Sequence, residues 1–428
     1  MDTEGKSAHL KKASWSMFLV GFIIYSVISM TKSAYSASMA SIINEGILKT
    51  SSAGIINTGF YIFYGGGQLL GVGIVDRVSP VKLIYMTLIG TLIAIIGMAF
   101  AKTFTVMLIL WSFCGLMQFA VWPAMLRIIA EYVLMEHRQR AMILISFAYC
   151  IGMLTNYFIA SIVLGVSNWR MLFVVSGVII VACIISWAWI IKKTKTQRQI
   201  ICQENKKLNE ADLKTKENDA ESHSMSFIKL LMVSGVIFLL VPAVFRSAMD
   251  LGLKTWVPKM MIDTYGVSES LASTLTTILV AVNLAGVFVA GLIHQKISRN
   301  TVLAFGICFM VSIPFNVVLL FSGKIHILVV VLMLTLITTM MYAGHQLINV
   351  VIPSSFSRYN KTGSVAAMLN AIAAFGNAAT TYGFGYIAEN FGWNMIMVLI
   401  LGFAVVSASF SVIAAPLWAK FSRNRVII

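Results

Sequence analysis

The sequence predicts an all-α membrane protein with twelve transmembrane helices in two pseudo-symmetric six-helix bundles. Three observations carry that prediction. Of the 428 residues, 59% are hydrophobic and only 11% charged, whereas a soluble domain carries about a quarter charged residues. The surplus of apolar side chains, with a mean hydropathy of +0.87, needs a non-aqueous surround, and lipid supplies one. The apolar residues also gather into long runs, six on each side of a single polar segment.

A run of about twenty apolar residues lets a helix cross the hydrocarbon core. Such runs occupy 14–39, 51–75, 80–101, 103–131, 140–165 and 169–191, then 227–257, 269–293, 301–322, 325–351, 363–388 and 393–418. The first follows Lys6, Lys11 and Lys12 as a signal peptide would, but it is long, holds Lys32 and precedes many further spans. It therefore reads as an uncleaved first helix. The units expected are an N-terminal bundle (1–191), a cytoplasmic linker (192–226) and a C-terminal bundle (227–428). The linker, with KKTKTQRQ and QENKKLNEADLKTKENDAES, has too few large apolar residues to fold alone and is expected to be disordered.

The net charge of +16 is not a nucleic-acid signature, because the basic residues lie in short breaks between spans and at the two ends. With the N-terminus inside, Arg77, Lys82, Arg138, Arg140, the linker set, Lys296, Arg299, Arg358, Lys361 and the C-terminal cations share the cytoplasmic side. Lys49, Lys102, Arg170, Lys259 and Lys324 fall outside. Basic loops mark the cytoplasmic side, so both termini are expected there, in a multi-pass protein of the cell inner (cytoplasmic) membrane. The five cysteines show no CxxC spacing, and four lie inside apolar runs. Neither a disulfide framework nor a metal site is expected, and no nucleotide-binding or nucleophile motif appears. No cofactor and no enzymatic activity are expected.

The halves echo each other. GVGIVDRVSP (71–80) follows the second helix and GLIHQKISRN (291–300) the eighth. SNWRMLF (167–173) opens the sixth helix and FGWNMIM (391–397) the twelfth. Both offsets are about 220 residues, which suggests a duplicated unit with a site between its copies.

Charge within a membrane costs at least a few kcal/mol and is seldom kept without use. On the first helix Tyr25, Ser29, Lys32 and Ser36 share one face, which suits either a water-filled cavity where Lys32 attracts an anion or a lysine that snorkels outward. On the fourth, Arg127 follows a proline break at Pro123; its planar fork suits a carboxylate or phosphate, or pairing with Glu131 one turn on. On the seventh, Arg246, Asp250 and Lys254 form a charged ladder. Asp250 is there the candidate proton carrier, unless the ladder is a structural element that opens and closes with gating. His345 and Asn349 share one face of the tenth helix, and Asn370 and Asn377 one face of the eleventh. Either set lines a cavity or bonds neighbouring helices. The glycines of YGGGQLLGVG (64–73) suit close helix packing.

These residues resemble the major facilitator superfamily along the whole chain. Asp76–Arg77 looks like that family's loop motif, which implies a gating role for the pair. Val72 stands where the family has its glycine, and Gln295–Lys296 replaces the acid–base pair in the second half. Within the superfamily the segments 25–46, 115–141, 249–261 and 363–393 resemble the organophosphate antiporters, with the organic-anion and sugar-acid symporters close by. Lys32 stands where that branch usually has arginine, and Gln118, Trp122–Pro123, Arg127, Arg138, Trp256 and Pro258 are kept. The resemblance implies that the first and fourth helices line a central cavity, and it adds Gln118 and Trp122 to the substrate-binding set. The second cation of the phosphate-transporting members falls at Asp250, which shifts the expectation from phosphate exchange to a carboxylate.

The expected function is secondary active transport of a small organic anion, a carboxylate or sugar acid, by alternating access and with a proton or counter-anion as coupling partner. The chain is expected to work as a monomer in the bilayer. Exchange of a phosphorylated sugar against phosphate is the alternative, and a transporter-like sensor a further one. Multidrug efflux would favour an apolar, acidic cavity.

Overall fold

The computed structural model describes residues 3–203, 205, 227–356 and 361–423, which form helices and connecting turns with no strand among them. Six long helices build the first half: α1 (Thr3–Asn44), α2 (Thr50–Leu70, continued by a short helix Val72–Arg77), α3 (Pro80–Phe100), α4 (Phe104–Tyr132), α5 (Met135–Val166) and α6 (Trp169–Lys193). Six more build the second: α7 (Val236–Tyr265, preceded by Phe227–Ser234), α8 (Glu269–Ile297), α9 (Thr301–Leu319), α10 (Ile327–Ser354), α11 (Thr362–Phe391) and α12 (Trp393–Arg423). The start of α1, the end of α12 and the helix ends that flank residues 206–226 lie at one end of the bundle, here the termini face; the opposite end is the distal face.

Ten of these helices are long and apolar enough to span a membrane, and α2 and α11 are not among the ten. The exceptions carry small and hydroxyl-bearing residues, as in TSSAGIINTG and AAFGNAATTYGFG, and they pack on each other between the halves. Small side chains let two backbones approach closely: a Cβ placed on Gly54 would lie 2.5 Å from the Thr381 carbonyl oxygen. Thr58 Oγ1 donates to the Ala378 carbonyl at 2.6 Å, and the Ser51 backbone N–H donates to Glu389 at 2.8 Å. Two donors from Ser51, its N–H and its hydroxyl, hold the Glu389 carboxyl below the usual carboxylate range.

Further contacts between the halves also seal the distal face. Ser41 donates to Glu269, Asn44 Nδ2 reaches the same carboxylate at 3.2 Å, and Ser270 Oγ donates to the Ser161 carbonyl at 2.7 Å. Pro258 has no N–H to offer the carbonyl one turn before it. That carbonyl, on Lys254, instead accepts the Tyr157 hydroxyl of α5 at 3.0 Å.

At the start of the linker segment residues 195–203 are helical, Arg198 lies over the Tyr132 ring at 5.2 Å, and Asn205 Nδ2 donates to the Glu131 and Val133 carbonyls at 3.1 Å each. Residues 206–226 lie outside the described residues. The interruption of α4 falls at Phe119–Ala120, not at Pro123. Pro123 sits in the first turn of the second segment, Val121–Tyr132, where a missing N–H costs no helical bond.

Candidate functional site

Between the halves, from the bundle centre toward the termini face, lies a cavity of about 490 Å³. Its first-half wall is aromatic: Tyr25 of α1, Tyr61 and Tyr64 of α2, Phe119 and Trp122 of α4, and Tyr149 of α5. Its second-half wall is amide-rich, with Gln346 and Asn349 of α10 and Asn370 and Asn377 of α11 beside Ser247 and His345. Tyr25 packs on Trp122 with ring centroids 5.4 Å apart, and His345 stacks on Tyr342 at 5.8 Å. Gln68 and Asn370 bond across the two walls at 2.8 Å, nearer the termini face.

Charge is concentrated in the centre. Lys32 lies on the cavity wall with Nζ 4.2 Å from the Tyr64 ring centroid, an attraction to the ring face that leaves its N–H donors open. Opposite, Arg246 and Asp250 also line the cavity, and Lys254 sits behind Asp250. These three are 4%, 7% and 1% exposed. Lys254 Nζ donates to Asp250 Oδ1, while Arg246 Nη1 stands 3.7 Å from Oδ2. Asp250 lies in a π-helical turn, Ala248–Gly252, a feature frequent at functional sites. Three cations against one carboxylate leave two net positive charges in a low-dielectric space, where an entering anion is strongly favoured.

The structure thus brings Tyr25, Lys32, Trp122, His345, Asn370 and Asn377 onto one wall system with Arg246 and Asp250. Three other expected site residues lie off it. Ser29 donates to the Tyr25 carbonyl and packs where Gly152 of α5 approaches α1. Gln118 is fully buried and bonds Thr31, Thr91 and Cys114, a tie among α1, α3 and α4. Arg127 spends its donors on Glu131 and on the Val75 and Val78 carbonyls, fastening the loop after α2. It satisfies carbonyls left open where a helix ends. Arg77 is exposed, and the Asp76 side chain is outside the described residues. Sequence reasoning missed Tyr61, Tyr64, Gln68, Tyr149 and Tyr342, because an uncharged tyrosine or glutamine in an apolar span carries no charge to mark it.

Arg127→Lys tests this placement. A lysine cannot reproduce the fork, so thermal stability should fall by several degrees while anion affinity changes less than about threefold. Ligand-dependent melting reads both quantities, and a large affinity loss at unchanged stability would return Arg127 to the binding site.

Two helical halves that close around a charged central cavity define a membrane carrier. The family model for the Major Facilitator Superfamily matches residues 17–381, and the chain belongs to that superfamily. It is 20% identical over 420 residues to a protein of Chlamydia trachomatis described as "Probable hexose phosphate transport protein", covering 94% of this chain and 90% of the relative. A protein of the same description from Chlamydia muridarum is similar to the same extent. Among solved structures, a bacterial homologue of the human lysosomal transporter Spinster, inward-facing and unoccupied, superposes with TM-score 0.77 at 17% identity over 96% of this chain and 98% of that one. A D-xylose–proton symporter does so with TM-score 0.69 at 15% identity, over 95% and 97%.

Proposed function

We propose that this chain is a secondary active carrier of a small organic anion, a carboxylate or sugar acid. One observation carries the reading: a cavity between the halves that holds two unbalanced positive charges beside aromatic and amide walls. Lys32 meets the anionic group, the tyrosines and Trp122 cover the carbon frame, and the Asn370 and Asn377 amides offer donors and acceptors to hydroxyls. Transport then follows alternating access: the distal contacts of Ser41, Asn44, Ser51 and Thr58 open as the termini face closes. The termini face is cytoplasmic by the distribution of Lys and Arg, in the cell inner membrane. Asp250 carries the coupling proton, and the protein acts as a monomer.

Sugar-phosphate exchange is the second reading. It is favoured by the description of the chlamydial relatives and by Arg246, which lines the cavity one turn from the position of that branch's second cation.

Asp250→Asn tests the coupling. In proteoliposomes, D-gluconate uptake by the native protein should move protons, read by an entrapped pH dye. The variant should lose that signal and still exchange labelled D-gluconate across the membrane. Undiminished proton movement would remove Asp250 from the coupling role.

A further inference from the structure

The charged ladder of α7 is unevenly bonded, and that unevenness has a consequence for how an anion enters. Lys254 holds Asp250 Oδ1 in a direct hydrogen bond, buried to 1% exposure. Arg246 stands 3.7 Å from Oδ2, beyond hydrogen-bond reach. Its Nε is buried without a partner, and Arg246 makes no hydrogen bond to any described residue. A guanidinium 4% exposed normally has its donors satisfied, because a buried unpaired donor is costly. The backbone accounts for the mismatch. Residues 246 and 250 would stack as i and i+4 in an α-helix, but the π turn Ala248–Gly252 begins two residues after Arg246 and contains Asp250, which changes that register. The cavity therefore contains a planar fork whose carboxylate partner is tethered just out of reach.

We propose that Asp250 is a tethered occupant of an anion subsite formed by Arg246 and Lys254, and that the substrate's anionic group replaces it on Arg246. This rests on the reading of the cavity as an anion site. Arg246 and Asp250 line that cavity, so a carboxylate or phosphoryl oxygen can reach the guanidinium without passing through packed side chains. The incoming anion offers the short bidentate contact that Asp250 lacks. Asp250 keeps its bond to Lys254 and so does not become an unpaired buried charge. In the empty carrier the same carboxylate moderates the charge of Arg246, and it competes with substrate at the high local concentration of a tethered group. Binding is thus an exchange of one carboxylate for another anion, and the resident group sets a ceiling on affinity.

The test is equilibrium binding of D-gluconate, and of inorganic phosphate as a minimal probe, to purified full-length protein. Removing the charge of the competitor while keeping its shape, Asp250→Asn, should tighten both by tenfold or more. Adding Arg246→Gln to that variant should abolish the gain. A second measurement compares the native protein with Asp250→Asn alone. On addition of D-gluconate, infrared difference spectra should show a shift in a carboxylate stretch that Asp250→Asn removes. Asp250→Asn that binds either probe no more tightly than the native protein, with no carboxylate shift, overturns the exchange while leaving the anion cavity standing. Absence of binding in all three proteins overturns the anion reading and this inference together.

Discussion

Replacing Lys32 by glutamine is expected to weaken anion binding by one to two orders of magnitude while leaving the protein folded. Lys32 sits on the cavity wall, over the face of Tyr64 and with no carboxylate partner among the described residues. An anion that enters loses its water and needs charge-assisted hydrogen bonds, each contributing about 1.5–3 kcal/mol. Losing one such bond corresponds to roughly ten- to a hundredfold in affinity. Glutamine keeps a donor and most of the length, and no structural ion pair is broken, so the melting temperature without ligand should barely move. Lys32→Arg should retain part of the affinity, since the charge survives and the geometry changes. Isothermal titration with D-gluconate measures the loss. Native affinity in Lys32→Gln would mean that the lysine does not meet the substrate.

Gly54→Leu is expected to abolish transport by holding the distal face open. At Gly54 the backbones of α2 and α11 meet: a Cβ there would lie 2.5 Å from the Thr381 carbonyl and 3.0 Å from the Tyr382 Cα. Backbone atoms cannot step aside as a flexible side chain can, and forcing extra volume into packed contacts costs about 1–3 kcal/mol. The same strain lies between the halves and not within one, so it disfavours only the distally closed state. Two-state equilibria of this kind shift about tenfold per 1.4 kcal/mol. Spin labels replacing Ser51 and Glu389, which bond at 2.8 Å when the face is closed, should move apart in the variant. Exchange of D-gluconate should fall at least tenfold. An unchanged label distance would show that α2 and α11 absorb the side chain without opening.

Most of the fold was legible because lipid imposes a simple rule, that each span needs a long apolar run. The rule worked least well at α2 and α11, whose small and hydroxyl residues dilute the apolar signal because they face another helix. Breaks within helices were less visible. Gly235, at φ 73°, separates Phe227–Ser234 from α7, and the π turn at Asp250 follows from packing that no local pattern announces. For the site, charge was the readable mark: Lys32, Arg246 and Asp250 all reach the cavity. Charge alone did not say which way a side chain turns. Arg127 lies near the termini face, where open carbonyls at Val75 and Val78 claim it. The polar face of α1 divides, with Tyr25 and Lys32 on the cavity and Ser29 folded onto its own helix. Hydroxyls in membrane helices return easily to the carbonyl one turn back, so a serine at helical spacing is weak evidence for a cavity.

The central claim is that the cavity selects for negative charge, and substrate exchange tests it directly. Proteoliposomes loaded with unlabelled solute should take up labelled D-gluconate or glucose 6-phosphate against the matching internal anion, and should not exchange D-xylose above protein-free vesicles. The two anions together also separate the carboxylate reading from the phosphorylated one. Exchange of D-xylose with both anions inert would contradict the account, because a neutral sugar has no use for two uncompensated cations in a buried site.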